Sequence, residues 1–156
     1  MNEEINMILE SMYGHVSNID IVKYHIETAF VKSDDLYKSI LRVKTDHGNE
    51  YGIRLKDKSK QLEDGTIFQL NNHNLLLISV LPDNMIVISP ENIEQMGIIA
   101  HLIGNLHKPV KIENSKIFLN YDKTVEKTLL SQKIKYTIED IKLKSPLKYV
   151  DFSNGK

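Results

Sequence analysis

The sequence predicts an α+β protein of two parts: an all-β barrel-like or sandwich-like domain over residues 1–81, then a domain with two helices over residues 82–149. The first half has short runs of β-branched and aromatic residues between turn signals, and it lacks a convincing long helix. The second half alternates short apolar strands with two segments of helical periodicity. Pro82 lies where one pattern gives way to the other. We expect residues 150–156 to form a frayed tail.

The strands of the first half are predicted from their turns. Asp46-His47-Gly48-Asn49 is a turn cluster between two apolar runs, which predicts a hairpin, and a second hairpin follows the Asp64-Gly65 turn. Residues 56–63 read as an exposed loop rich in lysine, and residues 1–18 as a strand or short turn. The strands are expected at residues 21–31, 40–44, 50–55, 67–70 and 75–81.

The first helix of the second half is predicted over residues 90–104. Ser89 is a suitable N-cap and Pro90 suits the first helical position. Gly104-Asn105 is a stop signal, because glycine and asparagine tolerate the left-handed conformation that ends helices. Pro109 prevents the helix from resuming. The apolar face is expected to comprise Ile93, Met96, Gly97, Ala100 and Ile103.

The remaining elements complete the order βαββαβ. A short strand at residues 85–88 precedes the helix, and strands at 110–112 and 117–119 follow it. Asp122 is the expected N-cap of a second helix that ends near Gln132, and alternation from Ile134 to Ile138 predicts the last strand. This order is the ferredoxin-like arrangement. Val125, Leu129 and Leu130 are the expected buried side of the second helix.

Composition excludes several classes of function. The formal net charge is −1, so there is no overall basic field to attract nucleic acid or an anionic membrane. Cysteine is absent, so any metal site must use nitrogen and oxygen ligands. The acidic start, Met1-Asn2-Glu3-Glu4, lacks the pattern of a signal peptide. We therefore expect a cytoplasmic protein.

No sequence motif points to an enzyme. The chain contains no Gly-x-Ser-x-Gly elbow, no P-loop, no dinucleotide fingerprint and no His-Glu-x-x-His. Adjacent carboxylates such as Asp34-Asp35 lie beside turn residues and are expected to be solvated. Four of the six histidines are expected to be ordinary surface or hydrogen-bonded residues, namely His15, His25, His47 and His73.

The other two histidines lie at the end of the first predicted helix. His101 and His107 are six residues apart, and the helix ends between them, so they are not a chelating pair within one chain. His107 is held between a helix stop and Pro109, which predicts a surface position with a well-defined backbone. Such a position suits a ligand that reaches outward to a metal or to a second subunit.

The segment His101-Leu-Ile-Gly-Asn-Leu-His-Lys-Pro109 resembles the His-x-x-Gly-Asn-Arg-His-x-Pro signature of the urease nickel metallochaperones, the UreE family. Leu106 stands where that family usually has arginine. The resemblance implies a homodimer in which His107 of each chain binds one shared Ni²⁺. It also implies delivery of Ni²⁺ to the urease apoprotein together with urease accessory proteins, including the GTPase. Zn²⁺ or Cu²⁺ can compete for imidazole ligands.

Further ligands common in the family are missing here. Asn120-Tyr121-Asp122-Lys123 lacks the histidines that many members carry before the second helix, so a peripheral site is not expected. Two rival functions remain open: a two-domain protein-binding or RNA-binding module without a metal, and a small enzyme with His107 or His101 as general base. Binding of structured RNA would favour the first rival, and a turnover that survives metal removal would favour the second.

Overall fold

A computed structural model describes residues 7–147. Over this range the backbone divides into two compact units, residues 7–82 with Lys142–Pro146, and Asp83–Ile141 with Leu147. Strands and short 3-10 turns make up the first unit, and two α-helices occur in the second. The predicted α+β class is therefore confirmed. The predicted tail, residues 150–156, lies outside the described residues, as do residues 1–6.

The first unit contains two mixed sheets, with strand orders β1-β5-β4 and β2-β6-β7-β3. Both predicted hairpins are present, because β4 pairs antiparallel with β5, and β6 with β7. The strands among residues 7–147 do not close into a barrel. The strands are β1 Met7–Leu9, β2 Gly14–His15, β3 His25–Val31, β4 Ile40–Lys44, β5 Glu50–Arg54, β6 Thr66–Gln69 and β7 Asn74–Val80.

Two details of the first half differ from expectation. The strand predicted from residue 21 begins instead with a 3-10 turn, Ile21–Lys23, because the Asp20 carboxylate accepts a hydrogen bond from the Val22 amide and caps the turn. The predicted exposed loop contains one buried side chain, Leu62, which is 1% exposed and belongs to the core of the first unit.

A buried carboxylate organises the middle of the first unit. Glu27 in β3 is buried, and it accepts hydrogen bonds from the Tyr51 hydroxyl at 2.7 Å and from the Asn49 side-chain amide. Burial, and then the bond to Glu27, raises the pKa of Tyr51 to about 12, so its hydroxyl remains a donor. Both carboxyl oxygens of Glu27 thus have hydrogen-bond partners, and Asn49 links the β4–β5 turn to β3.

The segment Lys142–Pro146 returns the chain to the first unit after the second is complete. The Lys144 carbonyl accepts a hydrogen bond from the Asp64 amide at 2.9 Å. Leu143 is buried, and the Lys142 ammonium lies 3.2 Å from the Asp64 carboxylate. The first unit is therefore built from two separate stretches of sequence.

The second unit confirms the ferredoxin-like prediction. Its four strands form an antiparallel sheet of order β11-β8-β10-β9, so the first strand of the unit lies between its fourth and third. Side chains from β8, β10 and both helices share one hydrophobic cluster, so both helices pack on one face of the sheet. The elements are β8 Asp83–Ile88, α1 Ile93–Asn105, β9 Lys111–Glu113, β10 Lys116–Asn120, α2 Lys123–Ser131 and β11 Tyr136–Ile141.

The second helix begins at its predicted cap. The Asp122 carboxylate accepts hydrogen bonds from the amides of Thr124 and Val125, at 2.8 and 3.0 Å. Val125 and Leu129 are buried as expected, whereas Leu130 is 62% exposed. Each helical residue is rotated about 100° from its neighbour, so Leu130 points away from the face that Val125 and Leu129 share.

The first helix begins three residues later than predicted. Its N-cap is Asn92, whose side-chain oxygen accepts a hydrogen bond from the Gln95 amide at 2.8 Å. The Gln95 side chain in turn accepts from the Glu91 amide. This reciprocal pair is close to a capping box, and Asn-x-x-Gln is its sequence signal. Ser89 and Pro90 therefore precede α1.

Candidate functional site

Helix α1 ends at an unusual residue. The helix runs to Asn105, Leu106 is the C-cap, and His107 has the left-handed backbone conformation with φ of 56°. The sequence predicted that Gly104 or Asn105 would adopt this conformation, which is wrong. The helical turn continues one residue further, because the Leu106 amide donates to the Ile103 carbonyl and the His107 amide to the Gly104 carbonyl. The left-handed position therefore falls on the histidine.

Contacts on its C-terminal side fix the backbone of His107 further. The Lys108 ammonium lies 2.7 Å from the carboxylate of Asp122, the cap of α2. This ammonium, and next the Val125 amide, lowers the pKa of the Asp122 carboxyl. Because Asp122 engages Lys108, the positive charge next to His107 is neutralised locally. Pro109 follows and restricts the chain again.

The imidazoles of His107 and His101 are both open to solvent. Within residues 7–147, neither ring takes part in a hydrogen bond or ion pair, and no group of three or more His, Asp or Glu side chains is arranged to hold a metal ion. At the end of α1, the described part of one chain therefore offers exposed imidazoles but no group of three ligands. That His101 and His107 do not chelate one ion as a pair stays a prediction from their spacing.

The buried face of α1 differs from the apolar face that the sequence predicted. Ile99 and Ile103 are the fully buried residues, with Met96 and Ala100 half-buried beside them. Ile93, by contrast, is the first residue of the helix and is 81% exposed. The exposed face of α1 comprises Ile93, Glu94, Gly97, Ile98, His101, Gly104 and Asn105.

The two helical glycines on this face have no role in packing within the described chain. A Cβ atom built on Gly97 or on Gly104 meets no atom within 4 Å. Each glycine costs the helix about 0.5–1 kcal/mol relative to alanine. The exposed face of α1 therefore has two positions without a side chain, and the helix is less stable than the same helix with alanine there.

Leu106, which replaces the arginine usual in the family signature, packs inward. It is half-buried and contacts the hydrophobic cluster of the second unit. The residue thus contributes to the core that holds the end of α1, directly before His107.

The segment before α2, for which the sequence predicted no peripheral metal site, has charged side chains with other roles. Asp122 caps the helix and pairs with Lys108, and Lys123 begins the helix as an exposed cation. A cavity of about 170 Å³ beside it is lined by Lys108, Pro109, Leu119, Asn120, Tyr121 and Asp122. No imidazole lines this cavity.

The histidines of the first unit divide into three kinds. His15 is structural, because its ring bonds to the Asp64 carbonyl at 2.8 Å and to the Ser17 hydroxyl at 2.7 Å. His25 and His47 contact each other, with their Nε2 atoms 2.8 Å apart. His73 is exposed in the β6–β7 turn. Sequence reasoning missed the His25–His47 contact, because the two residues are far apart in the chain and no local sequence pattern predicts that they meet.

The backbone conformation of His107 yields a stability prediction. A non-glycine residue at φ of 56° is strained by about 1 kcal/mol, and glycine is not. We expect His107→Gly to exceed His107→Ala by about 1 kcal/mol in free energy of unfolding, although both variants delete the imidazole. Urea unfolding of the two variants measures the difference. An alanine variant as stable as the glycine variant would contradict the left-handed conformation.

The fold and these side chains define an α+β protein with an exposed histidine directly after the end of a helix. Residues 9–81 match the family described as "UreE urease accessory protein, N-terminal domain". The chain is 47% identical over 147 residues to a urease accessory protein UreE of Streptococcus vestibularis, with 94% of this chain and 97% of the relative covered. A protein of the same name from Geobacillus kaustophilus is 42% identical, and the match covers 92% of this chain and 97% of that protein. Another from Lachnoclostridium phytofermentans is 38% identical, and the match covers 96% of this chain and 100% of that protein.

The chain belongs to the urease accessory protein UreE family, as the resemblance of residues 101–109 indicated. As a member of a family of accessory proteins it is not an enzyme, which excludes the general-base hypothesis for His107 and His101. Among residues 7–147, neither α1 nor α2 is long and apolar enough to cross a membrane.

Proposed function

We propose that this protein is a nickel metallochaperone that delivers Ni²⁺ to apo-urease while the nickel active site of urease is assembled. The family supports a role in urease maturation. One observation carries the finer proposal: His107 is exposed and held in a fixed, left-handed conformation at the end of α1. A ligand with a fixed backbone loses little conformational freedom when it binds a metal.

A single imidazole is a weak metal site, so the proposal requires a second chain. In a twofold homodimer, a residue near the axis occurs twice in one interface. Two copies of His107 then share one Ni²⁺, and water or a partner's side chain completes the coordination. A site with few protein ligands releases its ion more readily than a closed four-ligand site, which suits delivery.

The exposed face of α1 supports this dimer. Ile93 and Ile98 present apolar surface there, and Gly97 and Gly104 leave the backbone open to close approach. Burial of these isoleucines against a second copy would remove them from water, at about 1.5–3 kcal/mol for each fully buried side chain. His107 follows the same helix directly, so pairing of two α1 helices brings the two imidazoles toward one axis.

The partners follow from the same role. We propose that the protein acts in the cytoplasm, without nucleic acid or membrane, and transfers Ni²⁺ to the urease apoprotein in concert with urease accessory proteins, including the GTPase. Zn²⁺ and Cu²⁺ compete for the site, because imidazole binds these ions as well and Cu²⁺ more tightly than Ni²⁺. Nickel supply and transfer to the partner then decide which metal arrives.

The test is calorimetric titration of Ni²⁺ into the wild type and into His107→Gly, with the mass of each measured in solution. We expect the wild type to be a dimer with one tight ion per two chains, and His107→Gly to remain a folded dimer that lacks that ion. His73→Gln is the matched control, because this exposed histidine belongs to the first unit and not to α1, and we expect it to bind the shared ion as the wild type does. The proposal is rejected if His107→Gly keeps the shared ion, or if the wild type does not bind one.

A further inference from the structure

Outside the proposed dimer site, two histidines of the first unit face each other across the surface. The Nε2 atoms of His25 and His47 lie 2.8 Å apart, and the two rings meet nearly edge to face, with centroids 4.8 Å apart and planes at 88°. His25 begins β3, and His47 lies in the turn between β4 and β5. Both side chains are exposed, so solutes reach them freely.

The turn that carries His47 is firmly held beside β3. The Asp46 amide donates to the Thr28 carbonyl at 2.9 Å, and the Thr28 amide donates back to the Asp46 carboxylate at 2.9 Å. Thr45 bridges to Ala29, and Asn49 bonds to the buried Glu27. The His25–His47 contact is therefore imposed by the fold and is not a chance meeting of two mobile side chains.

Asp46 also fixes the proton on His47. Its carboxylate lies 2.7 Å from Nδ1 of His47. The same carboxylate accepts a hydrogen bond from the Thr28 amide at 2.9 Å, and an ionised carboxylate has no proton to donate. Nδ1 of His47 must then carry its proton, which leaves Nε2 of the neutral ring with a free lone pair. Carboxylates orient metal-binding histidines in the same way.

We propose that His25 and His47 form a second transition-metal site, which binds one divalent late first-row ion such as Ni²⁺ through the two Nε2 atoms. Nitrogen ligands about 2.0–2.1 Å from a metal lie roughly 2.9–3.4 Å apart for ligand angles between square and tetrahedral. The observed 2.8 Å needs only a few tenths of an ångström of opening. Water completes the coordination, because residues 7–147 contain no cluster of three such side chains.

Metal binding changes the tautomer of His25 and does not require loss of a proton. In the absence of a metal, a His47 ring with its proton on Nδ1 can only accept at Nε2, so the short contact between the two Nε2 atoms requires His25 to donate there. When a metal takes both Nε2 lone pairs, the His25 proton must lie on Nδ1 instead. Solvent can exchange it, since the ring is exposed. The two-ligand site is open and is expected to exchange its ion quickly.

This site is independent of His107, so the two can be tested apart. Ni²⁺ is titrated into the full chain carrying His107→Gly, and we expect one weaker ion per chain to remain. Adding both His25→Gln and His47→Gln is expected to weaken that binding at least 100-fold. His73→Gln is the matched control, because His73 is an exposed turn histidine of the same unit, and we expect it to leave the binding unchanged.

The role of Asp46 is to position His47, and Asp46→Asn tests it. We expect this variant to weaken Ni²⁺ binding about 10–100-fold. The ¹⁵N chemical shifts of the His47 ring, which report its tautomer, should change in this variant before any metal is added. Retention of the ion in the double histidine variant overturns the proposal. So does the absence of any ion in the His107→Gly chain, or an equal loss in His73→Gln.

Discussion

Ile98→Lys is expected to convert the proposed dimer to a monomer and to remove the shared Ni²⁺ site, with at least a 100-fold loss of affinity. Ile98 is 67% exposed on α1 and is not among the residues that form or pack against the hydrophobic cluster of the second unit. A lysine there leaves the monomer intact. In a helix-to-helix interface, however, it places two buried ammonium groups near the axis, which is strongly unfavourable. Mass in solution and Ni²⁺ titration measure both effects.

Leu130→Lys is the matched control for this prediction. Leu130 is 62% exposed on α2, so the substitution introduces the same charge at an apolar side chain of similar exposure on the other helix. We expect it to leave the dimer and its ion unchanged. If Leu130→Lys dissociates the dimer and Ile98→Lys does not, the interface lies on a different surface, and the proposed arrangement of the two His107 side chains is lost with it.

Ile103→Ala is expected to lower the free energy of unfolding of the second unit by about 2–5 kcal/mol. Ile103 is 1% exposed and packs in the cluster that joins both helices to the sheet. Removal of its outer atoms loses burial and leaves a cavity that the surrounding sheet cannot fill completely. Urea unfolding followed by circular dichroism of the helices measures the change.

Ile98→Ala is the comparison for this core substitution. It changes an isoleucine five residues earlier in the same helix that is exposed in the monomer, so at monomeric protein concentrations we expect a change of about 0.5 kcal/mol or less. Similar losses for both variants would show that α1 does not bury Ile103 as described. That result would also remove the support of the helix end on which His107 depends.

The sequence predicted correctly those elements whose signals lie within a few neighbouring residues. The Asp46-His47-Gly48-Asn49 turn predicted the β4–β5 hairpin, and Asp122 predicted the start of α2. The βαββαβ order predicted the second sheet, because that order has one common arrangement of strands. The start of α1 was predicted too early, because Ser89-Pro90 fits the residue preferences of an N-cap and first helical position. Asn92 and Gln95 also fit the pattern of a capping pair, and they form the actual start.

Other features depend on contacts between distant residues. Helix α1 continues to Asn105, one residue past Gly104, and Ile103 and Leu106 pack in the hydrophobic cluster at this end. The residue with the left-handed conformation is therefore His107. Likewise, His25 and His47 meet because the end of β4 is joined to β3 through Thr45 and Asp46. Neither fact is encoded in a short window of sequence, since both depend on which elements become neighbours.

The return of Lys142–Pro146 to the first unit has a consequence for dissecting the molecule. A fragment that ends at Pro82 would lack the carbonyl of Lys144 that accepts from Asp64, the buried Leu143 and the Lys142 ammonium beside Asp64. One cut therefore exposes apolar core and leaves a backbone amide without its acceptor. The sequence of the second unit thus lies between the two stretches that build the first. An excised first unit needs the short C-terminal stretch grafted back, or a circular permutation that keeps both pieces on one polypeptide.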